Sequence, residues 1–499
     1  MTTTARTQPQ RTRRDTSRGK FFPYVLGTGF MALSFAATAF AIYALAVGEP
    51  FHGFAATVLV ALPAGLYLRR LGSPDADPSR REALITVLLS WLFLPALGAI
   101  PYVFGGQLPP LDAFFESMSG FTTTGATTIQ DFSLVPDSLL LWRAVSQWVG
   151  GVGILVLFLA VFPQLAIAGR QMFHAEMPGP SQERFTPRLR QTALAVVALY
   201  AALTIACAAA YAVAGMAPFD ALAHAFGTLA AGGFSANAAS FADYSAPALQ
   251  WIAILFMTLS GASFILVFRA VSGQPRALLR DAEFRVYIGI LVVGGGILAM
   301  LLAGEYGTAD AIRHGLFQSV SIVTSTGFAS ADFREWGLPA QGVILALLFV
   351  GGCGGSASGG VKVVRWLIIA KHTAREVRHA IHPRAVLPVR VGDRIVSEDA
   401  IRAVGAFITL YVGLFAFTTI ALVFLGADFT SAFSASIASL GNTGPGLGPY
   451  APIGQLDELS AVGKLLLMFA MYAGRLEVVT VFVIFTPGWW RLPRVWSRG

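Results

Sequence analysis

The residues of this chain best suited to chemistry are threonines, serines and glycines arranged in four related runs. The first is FESMSGFTTTGATT (residues 115–128), whose threonine run, with Thr123 and Thr124, is closed by Gly125. Its counterparts carry Ala231, Gly232 and Gly233 in FDALAHAFGTLAAGGFSA, Ser325, Thr326 and Gly327 in LFQSVSIVTSTGFAS, and Asn442, Thr443 and Gly444 in FTSAFSASIASLGNTGPGLG. What such runs offer is backbone carbonyl oxygen. A dehydrated alkali cation needs several oxygens in place of its water shell, and carbonyls supply them without fixed negative charge. Glycine permits the positive φ that turns successive carbonyls the same way. Four such loops around one axis would form rings of oxygen selective for a cation.

Aligning the runs on their glycines exposes a shared scaffold. Thirteen positions earlier stand Asp112, Asp220, His314 and Ser431, mostly residue types that cap helix N-termini. Eight positions before the glycine the residues are small (Ser117, Ala225, Ser319, Ser436), and seven before they are apolar (Met118, Phe226, Val320, Ile437). With small residues also twelve positions before (Ala113, Ala221, Gly315, Ala432), the pattern predicts a short helix with one tightly packing face. Each helix would aim its negative dipole end at the cation. The runs recur about every hundred residues, as expected of an internally duplicated membrane fold.

The elements that position these loops are membrane spans. Of 499 residues, 55% are hydrophobic and 12% charged, about half the charged share of a soluble domain. Spanning segments are expected near 23–47, 52–69, 83–104, 138–168, 192–215, 247–270, 285–303, 340–370, 400–425 and 460–486. Arginine and lysine gather in the first twenty residues, 70–82, 169–191, 271–284, 371–399 and the C-terminus. The opposite side carries Glu49, Asp112, Asp131, Asp137, Asp220, Asp243, Asp332 with Arg334, and Asp428. This asymmetry predicts cytoplasmic termini and four loops on the external face, and it accounts for the net charge of +8 without nucleic acid. The basic tail is expected to be disordered and to face lipid. Cys207 and Cys353 give neither a disulfide framework nor metal-ligand spacing.

Two further features interrupt the apolar segments. Gly351, Gly352, Gly354, Gly355, Gly359 and Gly360, with Ser356 and Ser358, interrupt the eighth apolar segment, and Lys362 follows. Each glycine costs a helix about 1 kcal/mol relative to alanine, so a mid-membrane break is expected; a small-residue packing face is the alternative. Arg475 lies near the middle of the last segment, where a charge marks a functional site or a structural ion pair with a neighbouring helix. Glu477, two residues on, is not an obvious local partner for it. Glu116, nine before its glycine, either attracts cations or bonds nearby backbone, with the structural role favoured. His372, His379 and His382 lie in a basic loop that suits lipid headgroups better than a metal.

The four runs, with FHAEMPGP (173–180), GGCGGSASGGVKVVR (351–365) and GRLEVVTVFVIFTPGWWR (474–491), resemble the TrkH/KtrB group of potassium transporters over nearly the whole chain. The two helices before the first run match that group's TrkH branch. Two departures stand out: the second loop reads AAGGFSAN, where that group commonly has serine, threonine and histidine around GGF, and the glycine run reads SASGG rather than STGGG. The resemblance implies an all-α integral membrane protein of four fused helix–pore-helix–filter-loop–helix repeats, built like a potassium channel, after a two-helix extension. The expected division is 1–82, 83–190, 191–280, 281–395 and 396–499.

It further implies potassium uptake at the cell membrane, with the twelve loop-end residues named above as filter. The glycine run, Lys362 and Arg475 would form the gate, with Arg475 facing the pore and touching the glycine-rich loop. A homodimer bound by a TrkA-type nucleotide-sensing ring is the implied assembly. No nucleotide-binding glycine fingerprint occurs in this chain, so such sensing would belong to the partner. Potassium is the substrate, and no cofactor is expected. A sodium-selective or ion-coupled carrier of the same fold is the alternative; glycine at all four positions favours potassium over sodium. A membrane-embedded transferase would need convergent acids or histidines, which the sequence does not offer.

Overall fold

In the computed structural model, the described residues are 21–160, 187–448 and 459–490, apart from residues 75, 77, 107 and 245. The basic tail, the FHAEMPGP run and Arg491 lie outside them. Helices dominate. The first two, Phe21–Val47 and His52–Leu71, pack along each other as a hairpin. Gly27 lets them touch, since a Cβ there would come within 2.7 Å of the Gly65 carbonyl oxygen.

Four helix–short-helix–helix units follow. Their outer helices are Arg80–Gly98 (continued by Ile100–Phe104), Pro187–Val213, Ala282–Tyr306 and Glu398–Phe424. Their pore helices are Pro110–Phe121, Pro218–Ala230, Thr308–Val323 and Phe429–Leu440. The first inner helix, Asp137–Ala160, is unbroken over its described length. The second bends by 109° between Pro247–Ser260 and Phe264–Val271. The third is split into Leu338–Leu347 and Val363–Ile381, and the fourth into Ala461–Arg475 and Val478–Val483.

Seven helices are long and apolar enough to cross a membrane, and the bent pair makes an eighth, among the described residues. The two other expected spans, 340–370 and 460–486, are each a pair of shorter helices. The first break was expected from glycine; the breaks at Gly261 and at Leu476 and Glu477 were not. Polarity is arranged for lipid. Phe35, Leu59, Met300 and Phe424 are exposed on outer surfaces, while Glu116, Arg143, His224 and Gln318 are buried.

The helix starts correct the expected caps. Asp112 and Asp220 sit in first turns behind Pro110 and Pro218, where a carboxylate still complements the helix dipole. His314 is mid-helix because the third pore helix begins at Thr308. In the fourth, Asp428 is the cap, accepting from the Ser431 N–H at 3.0 Å.

Candidate functional site

All four pore helices end in the same way. The residue two before each glycine is left-handed: Thr123 at φ 52°, Ala231 at 52°, Ser325 at 55° and Asn442 at 53°. The next N–H reaches back five residues, from Thr124 to Ser119 O (2.8 Å), Gly232 to Gly227 O (3.0 Å), Thr326 to Ser321 O (2.8 Å) and Thr443 to Ala438 O (2.8 Å). A second bond spans three residues, as from Thr123 N–H to Gly120 O at 2.9 Å. This is the Schellman ending, which glycine normally supplies. Side chains held left-handed there cost about 1–2 kcal/mol each, so the surroundings must impose the turn.

The glycines follow at φ 86° for Gly125, 74° for Gly233, 82° for Gly327 and 90° for Gly444. A methyl on Gly125 would strike the carbonyl of Gly232, and one on Gly233 that of Thr326. One on Gly327 would strike Thr443, and one on Gly444 would strike Thr124. The order runs first to second, second to third, third to fourth and back to first. Four loops distant in sequence therefore close into one ring, and glycine is required both for its φ and for its missing Cβ.

Each loop is braced from its own pore helix. Nine residues before Gly125, the buried Glu116 carboxylate accepts from Thr128 N–H (3.0 Å) and Thr127 Oγ1 (3.0 Å), and pairs with Arg143 Nε at 2.6 Å. This is the structural role favoured above. At the same offset His224 Nε2 meets Ser235 Oγ at 3.0 Å, while its Nδ1 bonds the Asp220 carbonyl at 2.8 Å. A carbonyl only accepts, so Nδ1 holds the proton and Nε2 accepts from the serine. Gln318 Nε2 donates to Phe328 O at 3.4 Å. Ala435 occupies that offset in the fourth repeat, and the neighbouring Ser434 Oγ accepts from Leu447 N–H at 2.8 Å instead.

The glycine run lies directly against the ring. Gly359 N–H donates to Ser325 Oγ at 2.6 Å, and a methyl on Gly359 would strike the Gly441 carbonyl. Cys353 N–H donates to Gly261 O (2.8 Å), Ala357 N–H to Ser260 O (3.2 Å) and Phe264 N–H to Gly355 O (3.1 Å). The loop is thus stitched to the break in the second inner helix. Gly351, Gly355 and Gly360 take positive φ, as does Lys362, whose ammonium donates to Ser358 O. Gly352 is packed so that a Cβ would lie 2.8 Å from Gly261 O. Ser356 Oγ donates to Cys353 O at 2.6 Å. Gly354 N–H and Val364 N–H both donate to Glu283 Oε1, at 2.7 and 3.0 Å, so one carboxylate ties the loop to the first turn of the following helix.

Arg475, 3% exposed, donates from Nη1 to Ala357 O at 2.9 Å and from Nη2 to Gly150 O at 3.3 Å. Its Nε has no hydrogen-bond partner among the described residues. These bonds go to carbonyls rather than to a carboxylate, and one of them is in the glycine loop. Glu477 pairs instead with Arg365.

Sequence reasoning missed Arg143, Gln147, Glu283 and Arg365. Arg143 and Gln147 did leave a signal: two polar residues four apart, hence on one helix face, in an otherwise apolar span. Among the described residues no group of three or more His, Cys, Asp or Glu side chains could hold a metal ion.

The family model of TrkH, described as a cation transport protein, matches residues 51–489. The chain is 38% identical over 448 residues to the Trk system potassium uptake protein TrkH of Escherichia coli strain K12, covering 88% of this chain and 92% of that protein. It is 37% identical over 416 residues to the Trk system potassium uptake protein TrkI of Halomonas elongata, covering 82% and 84%. The crystal structure of the potassium transporter TrkH from Vibrio parahaemolyticus superposes with a TM-score of 0.85 at 34% identity, covering 94% of this chain and all of that one. With four fused pore units after a helical hairpin, and a family match across most of its length, the chain belongs to the TrkH family of cation transport proteins.

Proposed function

We propose that this protein carries potassium into the cell as the pore-forming subunit of a Trk-type uptake system. The observation that carries the reading is the closed ring of four loops, in which each filter glycine abuts the carbonyl of the next repeat. Backbone oxygens from 123–125, 231–233, 325–327 and 442–444 replace the water shell of the ion. The loop at 351–360, with Lys362, is the gate below them. Arg475 holds that loop through Ala357 O and places a positive charge on the path of the cation while the gate is shut. The names of the relatives support potassium as the substrate.

The basic segments face the cytoplasm and the filter faces outward. A nucleotide-binding ring docks on the basic helix end and hairpin around 371–395, and two copies of the chain form the working unit. The test is flux of potassium, rubidium and sodium through the purified protein in liposomes, with and without that partner. Potassium and rubidium should pass and sodium should not. Sodium passing as readily would overturn the filter reading, and flux indifferent to the partner would remove the regulatory part.

A further inference from the structure

The second loop is the odd member of the ring, and its oddity has a structural counterpart. The residue before the filter glycine is threonine in three repeats (Thr124, Thr326, Thr443) and Gly232 in the second. In the first and third, that threonine hydroxyl bonds a partner two residues back, Thr122 with Thr124 at 2.8 Å and Thr324 with Thr326 at 2.8 Å. Thr122 and Thr324 are in turn anchored on pore-helix carbonyls, Met118 O and Val320 O, each at 2.7 Å. Ala230 stands at the matching place in the second repeat, so no such pair can form.

Gln147 fills the gap. It projects from the first inner helix and is fully buried. Its Nε2 donates to Gly232 O at 2.5 Å and its Oε1 accepts from Phe234 N–H at 3.1 Å. The amide orientation is therefore fixed, because an N–H can only face the oxygen. A Cβ on residue 232 would lie 2.5 Å from Gln147 Cδ, so the amide occupies the space that a threonine side chain would take.

We propose that Gln147 is a positioning residue for ion selection. Its amide stands in for the absent threonine and holds the peptide groups on both sides of Gly233 in the ring. The inference rests on the filter reading proposed above. Selectivity in a carbonyl filter depends on how many oxygens are presented and how far they can move. Without the amide, the 231–234 backbone keeps its Schellman turn but loses the bonds beyond it, and its carbonyls can close on a smaller ion.

The experiment measures potassium-over-sodium flux ratios in liposomes for three variants: Gln147→Ala, Gln147→Ala combined with Gly232→Thr, and Gln147→Glu. Gln147→Ala should lower the ratio about tenfold. The double variant should recover most of it, since the threonine then has room. In Gln147→Glu, an ionised carboxylate keeps the acceptor for Phe234 N–H but loses the donor to Gly232 O, while the protonated form has both. That variant should regain selectivity as external pH falls, over a range where the parent protein's ratio is flat. A general loss of folding lowers flux without producing these ratio patterns, and Gln147→Glu, nearly isosteric, keeps the test open if the alanine variant does not fold.

Unchanged ratios in Gln147→Ala, or a flat pH response in Gln147→Glu, would overturn the proposal. Gly125→Ser in the same series separates the two levels. If it lowers the ratio while the Gln147 variants do not, only this inference fails; if it too leaves the ratio unchanged, the filter reading fails.

Discussion

Arg365, just past the break in the third inner helix, pairs with Glu477, within the break in the fourth, with Nη2 to Oε2 at 2.6 Å and both side chains nearly buried. The guanidinium also lies 3.8 Å from the centre of the Phe407 ring on the fourth outer helix. Glu477 holds its place on a left-handed backbone, φ 68°. Removing one member of such a pair strands a buried charge, at a cost of about 3–5 kcal/mol. Glu477→Ala should therefore lower the unfolding midpoint in detergent clearly, and Arg365→Met with Glu477→Leu should regain much of the loss. Equal destabilisation by the single and double variants would show that the contact carries no coupling.

Arg475 offers a separate test of the closed pore. Arg475→Ala removes the bond to Ala357 O and the charge together. Potassium flux without the regulatory partner should rise about tenfold, as lowering a barrier by ~1.4 kcal/mol would produce. Arg475→Lys should fall between, keeping charge but losing the paired donors. Flux at the parent level in both variants would count against a role in closure.

Glu283 ties the middle of the glycine-rich loop to the start of the helix that follows it, through Gly354 and Val364 N–H. Hydrogen bonds to a charged acceptor contribute about 1.5–3 kcal/mol each, and neutralising the acceptor weakens both. Glu283→Gln should speed backbone hydrogen exchange across 351–364 and raise basal flux. Protection equal to the parent protein in that segment would sink the clamp.

The four ring glycines, proposed as the filter, should tolerate no side chain. Gly327→Ala places a methyl on the Thr443 carbonyl at a backbone φ of 82°. Transport should be lost or should cease to discriminate sodium, while expression and detergent stability change little because the collision is confined to the loop. A variant with full uptake and parent selectivity would remove Gly327 from the ion path.

Much of this architecture was legible because the same local solution appears four times. Repetition turned Gly125, Gly233, Gly327 and Gly444 into a pattern, and the glycine-dense 351–360 segment announced its own break. The break in the second inner helix was not readable, since a single glycine in SGAS leaves the apolar run intact and the loop at 353–357 supplies the partners that the broken backbone needs. The fourth break hides similarly behind an apolar sequence, and only Arg475 and Glu477 hint that the helix stops there. Contacts such as Glu116 with Arg143, or Gln147 with Gly232, join residues far apart in the chain. No local periodicity encodes them; they follow from which inner helix packs against which pore helix.

The ring that closes from Gly444 back to Thr124 lies within a single polypeptide. In a pore assembled from four copies of one subunit, a change in one gene rewrites every wall at once. Here one codon rewrites one wall and leaves the other three standing. A single substitution can therefore alter the ring by a quarter, with three loops unchanged. The second loop, backed by the Gln147 amide where its neighbours carry threonine, shows how far one wall can differ from the other three.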